Sequence, residues 1–273
     1  MEYGININYF ARTIGLQKAA ELVAKAGFTA LDFTAPIARD TWEADMKAAL
    51  EIFKDWGLRV NQTHAPFNRY GKYNGIHETY LQRCAEATAA MGAKYLVVHG
   101  DEFDFDNLTF SSEAACEYNH RLFLPYVEFG QRNGFKVAFE TVFEDSRSAK
   151  GLRRHTAQAD ELLALIKSFA EGSVACCWDS GHAHIAFRAN APEVIRQFGS
   201  LIECTHIHDN AGNDSHQLPM TGDIDWVATM AAFRDIGYQG VTSIEYSHGN
   251  IPPALTEDFL SLSCKAVRQL WQL

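Results

Sequence analysis

Val174-Ala175-Cys176-Cys177-Trp178-Asp179-Ser180-Gly181-His182-Ala183-His184 begins as an apolar run and stops abruptly in side chains that bind cations. A short apolar run without polar alternation is the pattern of a strand covered on both faces, as in a parallel sheet flanked by helices. The polar residues then lie where the strand emerges. Asp179 comes first, and His182 follows on the outgoing turn. The rest of the chain repeats this design.

Upstream and downstream, amphipathic helical segments end in glycine and are followed by short apolar runs. The joins are Ala26-Gly27-Phe28, Trp56-Gly57-Leu58, Met91-Gly92-Ala93, Asn133-Gly134-Phe135, Glu171-Gly172-Ser173 and Ile236-Gly237-Tyr238. Glycine suits the left-handed residue that closes a helix, so each join predicts a helix stop before a strand. In the segment Ile76 to Met91, the 3.6-residue period puts Ile76, Tyr80, Cys84, Ala87 and Met91 on one face.

The runs after the joins are Ala30–Phe33, Leu58–Val60, Tyr95–Val98, Val137–Phe139, Val174–Cys177 and Val241–Ile244. Adding Tyr3–Ile7 and Ile202–Ile207 gives eight strands. Eight strands alternating with helices predict an α/β (β/α)8 TIM barrel forming a single domain over residues 1–273, with its site at the C-terminal strand ends. An open doubly wound sheet is the competing architecture. It usually carries a glycine-rich phosphate loop after the first strand, and Asn6-Ile7-Asn8-Tyr9-Phe10 has no glycine.

The predicted strand ends carry Gln62-Thr63-His64, His99-Gly100-Asp101, Glu140-Thr141, Trp178-Asp179, His206-Ile207-His208-Asp209-Asn210 and Glu245-Tyr246. In a barrel these side chains converge on one bowl. Several carboxylates buried together require a counter-charge, which a divalent cation supplies. Carboxylates with imidazole suit a hard or borderline divalent ion such as Mn²⁺, Mg²⁺, Co²⁺ or Zn²⁺, and Mn²⁺ is the first expectation. His77, His120 and His155 read as helix-surface or capping residues. Among the aromatic residues near the bowl, Tyr9, Phe10, Phe67, Trp178 and Phe187, core packing is the expected role. Trp226 is expected to pack the start of a helix.

Net charge is −10, from 24 basic and 34 acidic residues, and no basic block interrupts it. Nucleic acid and anionic membrane surfaces need a positive field, so neither is an expected partner. The start lacks the basic and apolar regions of a signal peptide, and no apolar run is long enough to span a membrane. The six cysteines have no Cys-x-x-Cys spacing and read as reduced core residues. A cytoplasmic location is expected.

Trp178-Asp179-Ser180-Gly181-His182, His206-Ile207-His208-Asp209-Asn210, Asp214-Ser215-His216 and Gly222-Asp223-Ile224-Asp225-Trp226 together resemble the sugar phosphate isomerase/epimerase family. This is the xylose isomerase-like TIM barrel superfamily, which includes ketose 3-epimerases, hydroxypyruvate isomerase, inosose dehydratase and endonuclease IV. The similarity runs along nearly the whole chain. It implies a mononuclear metal site of Glu140, Asp179, His206 and Glu245. It also implies Glu140 and Glu245 as catalytic residues that move a proton through an enediolate. His64, His99, His182, Asp214 and His216 are implied as substrate-binding residues. The implied substrate is a small sugar, keto-sugar or polyol derivative, and the implied assembly is a homo-oligomer.

Two segments depart from that pattern or extend it. Ketose 3-epimerases carry an arginine a few residues after the strand-seven histidine, and Asn210-Ala211-Gly212-Asn213-Asp214 has none. Ser247-His248-Gly249-Asn250 offers backbone N–H groups to a phosphate but reads first as the turn into the last helix. Two other activities share these residues. A dehydratase of the inosose or dehydroshikimate type would use the same carboxylate pair to expel a hydroxyl. An endonuclease IV-like tri-zinc phosphodiesterase would use all nine residues, but the acidic charge opposes binding to a phosphate backbone.

Overall fold

Each apolar run identified above is a strand. The computed structural model describes residues 1–67, 75–100, 111–144, 154–246 and 251–273. The strands are β1 (Tyr3–Asn6), β2 (Ala30–Asp32), β3 (Arg59–His64), β4 (Tyr95–Val98), β5 (Lys136–Glu140), β6 (Val174–Asp179), β7 (Ile202–His206) and β8 (Thr242–Ile244). All neighbours are parallel, in the order β7-β6-β5-β4-β3-β2-β1-β8. The ends of this order meet. Ile207 and Ile244 form a parallel bridge, Ile207 N–H donates to Ser243 O at 2.7 Å, and Glu245 N–H donates to Ile207 O at 3.2 Å. An open doubly wound sheet leaves two edges unpaired, so the nearly closed TIM barrel is the fold.

The same closure positions the site, because it ties the end of β7 directly to Glu245. The six glycine joins all have positive φ, from 64° at Gly92 to 99° at Gly27, a conformation that a Cβ disfavours. Inside the barrel lies a layer of small side chains, Val97, Ala138, Ala175, Cys177 and Cys204. Around it the helices bury their apolar stripes. The six cysteines are free, and all except the half-buried Cys116 are buried. Among the described residues, no helix is long and apolar enough to cross a membrane.

The helices are α1 (Asn8–Ile14), α2 (Leu16–Ala26), α3 (Trp42–Asp55), α4 (His77–Ala90), α5 (Ser112–Asn133), α6 (Ala159–Ser168), α7 (Ser180–Phe187), α8 (Ala191–Phe198), α9 (Trp226–Asp235) and α10 (Thr256–Leu270). Among the described residues, two connections hold two helices each, β1 to β2 and β6 to β7. The segment after Asp179 is therefore a helix and not the turn expected from its sequence. Asp179 is its N-cap, accepting the His182 N–H at 2.6 Å, which satisfies one of the unpaired donors at a helix start.

Three further expectations are corrected. On the expected face of α4, Cys84, Ala87 and Met91 are buried and Tyr80 is half-buried, but Ile76 is exposed, and Leu81, Ala85 and Thr88 are buried beside them, so the buried stripe is broader than expected and starts later. His155 is not on a helix surface. It is fully buried, with Asn119 Nδ2 3.0 Å from its Nδ1. His77 is also buried, its Nε2 on Pro66 O at 3.0 Å. Trp226 does open a helix, α9, and donates from its indole to Asp209 Oδ2 at 2.7 Å.

Candidate metal centre

Four strand ends supply the central group. Glu140 is the last residue of β5, Asp179 of β6 and His206 of β7, and Glu245 follows β8. Each offers one ligand atom, and these atoms lie within 4.8 Å of one another. His206 Nδ1 is 3.4 Å from Glu140 Oε2, 3.9 Å from Asp179 Oδ2 and 3.9 Å from Glu245 Oε2. The first three residues are fully buried and Glu245 nearly so.

The remaining residues named from sequence enclose this group. His64 Nε2 lies 2.9 Å and His99 Nε2 3.2 Å from Glu140 Oε2, and His182 Nδ1 lies 3.1 Å from Glu140 Oε1. After β7, Asp209 and Gln217 exchange backbone hydrogen bonds of 2.9 and 2.8 Å, so the intervening loop returns to the barrel mouth. It brings His216 Nδ1 to 3.4 Å from Glu245 and Asp214 Oδ1 to 3.7 Å from His182 Nε2. His216 holds a positive φ of 43°, an unusual conformation for a non-glycine residue at this site. All nine residues therefore meet in one bowl. Asp101 and Ser247–Asn250 lie outside the described residues.

Two further residues join the group: His208, which sequence places at the strand-seven end without a role, and Asp32, which sequence places only in an apolar run. His208 is buried, its Nε2 3.0 Å from Asp179 Oδ1, and its ring stacks on His216 at 4.0 Å. The alternation of His206 and His208 about Ile207 was the available signal. Asp32, on β2, is buried with Oδ2 2.7 Å from His206 Nε2. Its signal was an acidic residue inside an apolar strand. Among the aromatic residues, Phe10 and Trp178 are core, whereas Phe67 stacks on the His99 ring at 4.5 Å and walls the bowl.

The electrostatics are those of a site that demands positive charge. Burial pushes the Glu140 carboxyl up, but His206, His99 and His182 outweigh it and hold it well below the usual carboxylate range. Asp179 is also lowered, burial being overcome by His182 and His208. Burial opposes charge on His206, yet Glu245, Glu140 and Asp32 raise it well above an ordinary histidine. His216 rises to about 9 against its own burial, through Asp214 and Glu245. His99 is the exception: burial lowers it to about 4, leaving it neutral near pH 7.

The donor set fits a divalent ion. Three carboxylates and one imidazole match a hard or borderline cation. His206 Nδ1 is buried without a hydrogen-bond partner and faces those carboxylates, as a nitrogen reserved for a ligand would. A second group, His182, His208, Asp214 and His216, also brings ligand atoms within 4.8 Å of one another.

The model of the family described as "Xylose isomerase-like TIM barrel" matches residues 20–263. The chain belongs to this family. Solved structures that this chain resembles include a D-tagatose 3-epimerase-like protein, 21% identical over 98% of this chain and 99% of that one, TM-score 0.77. Another is IOLI protein with a bound zinc atom, 18% identical over 100% of this chain and 98% of that one, TM-score 0.78. An uncharacterized protein of Sinorhizobium fredii is 24% identical, covering 85% of this chain and 81% of its own length. At these identities the structural likeness is one of fold.

Proposed function

We propose that the protein is a divalent-metal-dependent isomerase or epimerase of a small sugar, keto-sugar or polyol derivative. The observation that carries this is the Glu140–Asp179–His206–Glu245 constellation, with two of its carboxylates on separate strand ends of one bowl. Glu140, Asp179, His206 and Glu245 would hold the ion, with Mn²⁺ the first candidate. A divalent ion bound there supplies Lewis acidity that stabilises negative charge developing on a substrate oxygen.

The chain's own groups do the rest. Glu140 and Glu245 are the acid and base that remove and return a proton at the carbon beside the substrate carbonyl, through an enediolate. His64, His99, His182, Asp214 and His216 ring the same bowl and would hydrogen-bond substrate oxygens, holding the reacting carbon between the two carboxylates. Phe67 and its stacked partner His99 present an apolar wall to the carbon face. The related D-tagatose 3-epimerase-like protein, and the family as a whole, make a carbohydrate the first substrate class to test. The missing arginine in Asn210–Asp214 favours a substrate other than a free ketohexose.

The test is incubation of the Mn²⁺-loaded protein in D₂O with ketoses and inosose-like compounds. The expected result is deuterium at the carbon beside the carbonyl together with a new epimer or isomer. Deuterium uptake coupled to loss of water would assign the dehydratase reaction instead. No exchange with any member of the panel would count against proton transfer at this site.

A second reading has one observation in its favour, the His182–His208–Asp214–His216 group, which could take a further ion and make a multi-metal phosphodiesterase. The net charge of −10 opposes a phosphate-backbone substrate. Metal stoichiometry separates the two readings.

A further inference from the structure

We propose that Asp32 is a positioning residue for the metal centre: it fixes His206 as the Nε2–H tautomer, so that Nδ1 is the ligand atom. This rests on the four-ligand reading of the site. Asp32 lies on β2, far from His206 in sequence, and the two meet across the barrel interior at 2.7 Å. A carboxylate accepts hydrogen bonds and cannot donate them, so the imidazole proton belongs on Nε2. The opposite ring nitrogen then carries the lone pair, and it is this nitrogen that makes no hydrogen bond and faces Glu140, Asp179 and Glu245 at 3.4 to 3.9 Å.

The surrounding strands are built to hold the carboxylate there. The β2–β3 register shifts between Leu31 and Asp32, so that Asp32 faces Gln62 where regular pairing would put Asn61. Such irregularities re-aim a side chain. Gln62 Nε2 lies 3.4 Å from Asp32 Oδ2 and 3.3 Å from Thr205 O, linking β2, β3 and β7 beneath the site. Asp32 is completely buried, and its Oδ1 has no partner. A structural ion pair would gain by satisfying both oxygens. Retaining a half-satisfied carboxylate against its desolvation is explained by a task at Oδ2.

The experiment is Asp32→Asn, which keeps the shape, with Mn²⁺ and Co²⁺ dissociation constants from titration calorimetry and the visible spectrum of the Co²⁺ form. An amide carries no charge and can present either its oxygen or its N–H₂ to Nε2, so it no longer fixes the imidazole proton there. The expected outcome is about 10- to 100-fold weaker ion binding and an altered Co²⁺ spectrum, the range seen when the outer partner of a metal-bound histidine is removed. Thr88→Val, which breaks the buried Thr63–Thr88 hydroxyl pair of 2.6 Å, is the control. It is expected to lower stability while leaving the spectrum unchanged.

Folded Asp32→Asn that binds as tightly as wild type with the same spectrum overturns the proposal while leaving the four-ligand site intact. Wild type that takes up no ion overturns both. Should Asp32→Asn fail to fold, ¹⁵N NMR of zinc-loaded wild type decides. A proton on His206 Nε2 supports the assignment, and a proton on Nδ1 overturns it.

Discussion

Glu245→Gln is expected to reduce turnover by about 10²- to 10⁴-fold, the range for removing a positioned acid or base. The substitution conserves volume and leaves an amide oxygen in place of the carboxylate, but it takes away the group that accepts a proton. Glu245 is the least enclosed member of the ligand set and lies 3.4 Å from His216, at the mouth of the bowl where a substrate carbon can reach it. Glu140→Gln is expected to fall by a similar factor, because the carboxyl on the other side loses the same capacity. The check is deuterium exchange in D₂O with each variant loaded to the same metal content as wild type. Exchange and turnover near wild type in metal-loaded Glu245→Gln would remove Glu245 from the acid–base role.

Gly181→Ala is expected to disable the site without touching a ligand. A Cβ on Gly181 would overlap the His208 ring. That ring has no room to retreat, since it stacks on His216 at 4.0 Å and holds Asp179 from behind at 3.0 Å. The methyl group must displace His208, Asp179 or the first turn of α7. Overpacking of this kind destabilises by roughly 1–3 kcal/mol, and here the strain falls on the element that orients Asp179, one of the four residues proposed to hold the ion. Lower thermal stability together with weakened metal uptake is the expected pair of results, measured by calorimetry on one sample. A variant with wild-type stability and wild-type metal affinity would mean that the His208 support is not needed. Ser180→Ala, next in sequence but removing a 2.6 Å hydrogen bond to His208 O, serves as a milder comparison.

The barrel was legible because its punctuation is local. Gly27, Gly57, Gly92, Gly134, Gly172 and Gly237 each close a helix, and a φ requirement of that kind is written in a single residue. The residues of the bowl were legible for a related reason: Glu140, Asp179 and His206 each end a buried apolar run, where a polar side chain has no packing purpose, and the barrel brings these strand ends together. What sequence could not give depends on contacts between distant residues. Asp32 looks like a flaw in an apolar strand until the barrel brings it to His206. His155 looks like a surface histidine until Asn119 and the interior surround it. The helix α7 was mistaken for a turn because His182 and His184 read as ligands, while Asp179, the residue that caps the helix, was read only for its charge. In α4, Cys84, Ala87 and Met91 follow the expected face, and Ile76, apolar by type, departs from it because it sits before the helix start and stays in solvent.

The most direct measurement is the metal content per chain of purified protein by elemental analysis, before and after mild chelation and reloading with Mn²⁺. One divalent ion per chain is expected, lost in His206→Ala and Asp179→Ala and restored in wild type by added metal. Several zinc ions per chain would shift the assignment to the multi-metal phosphodiesterase. A wild-type protein that is folded, holds no divalent ion and cannot be loaded with one would contradict the metal centre itself.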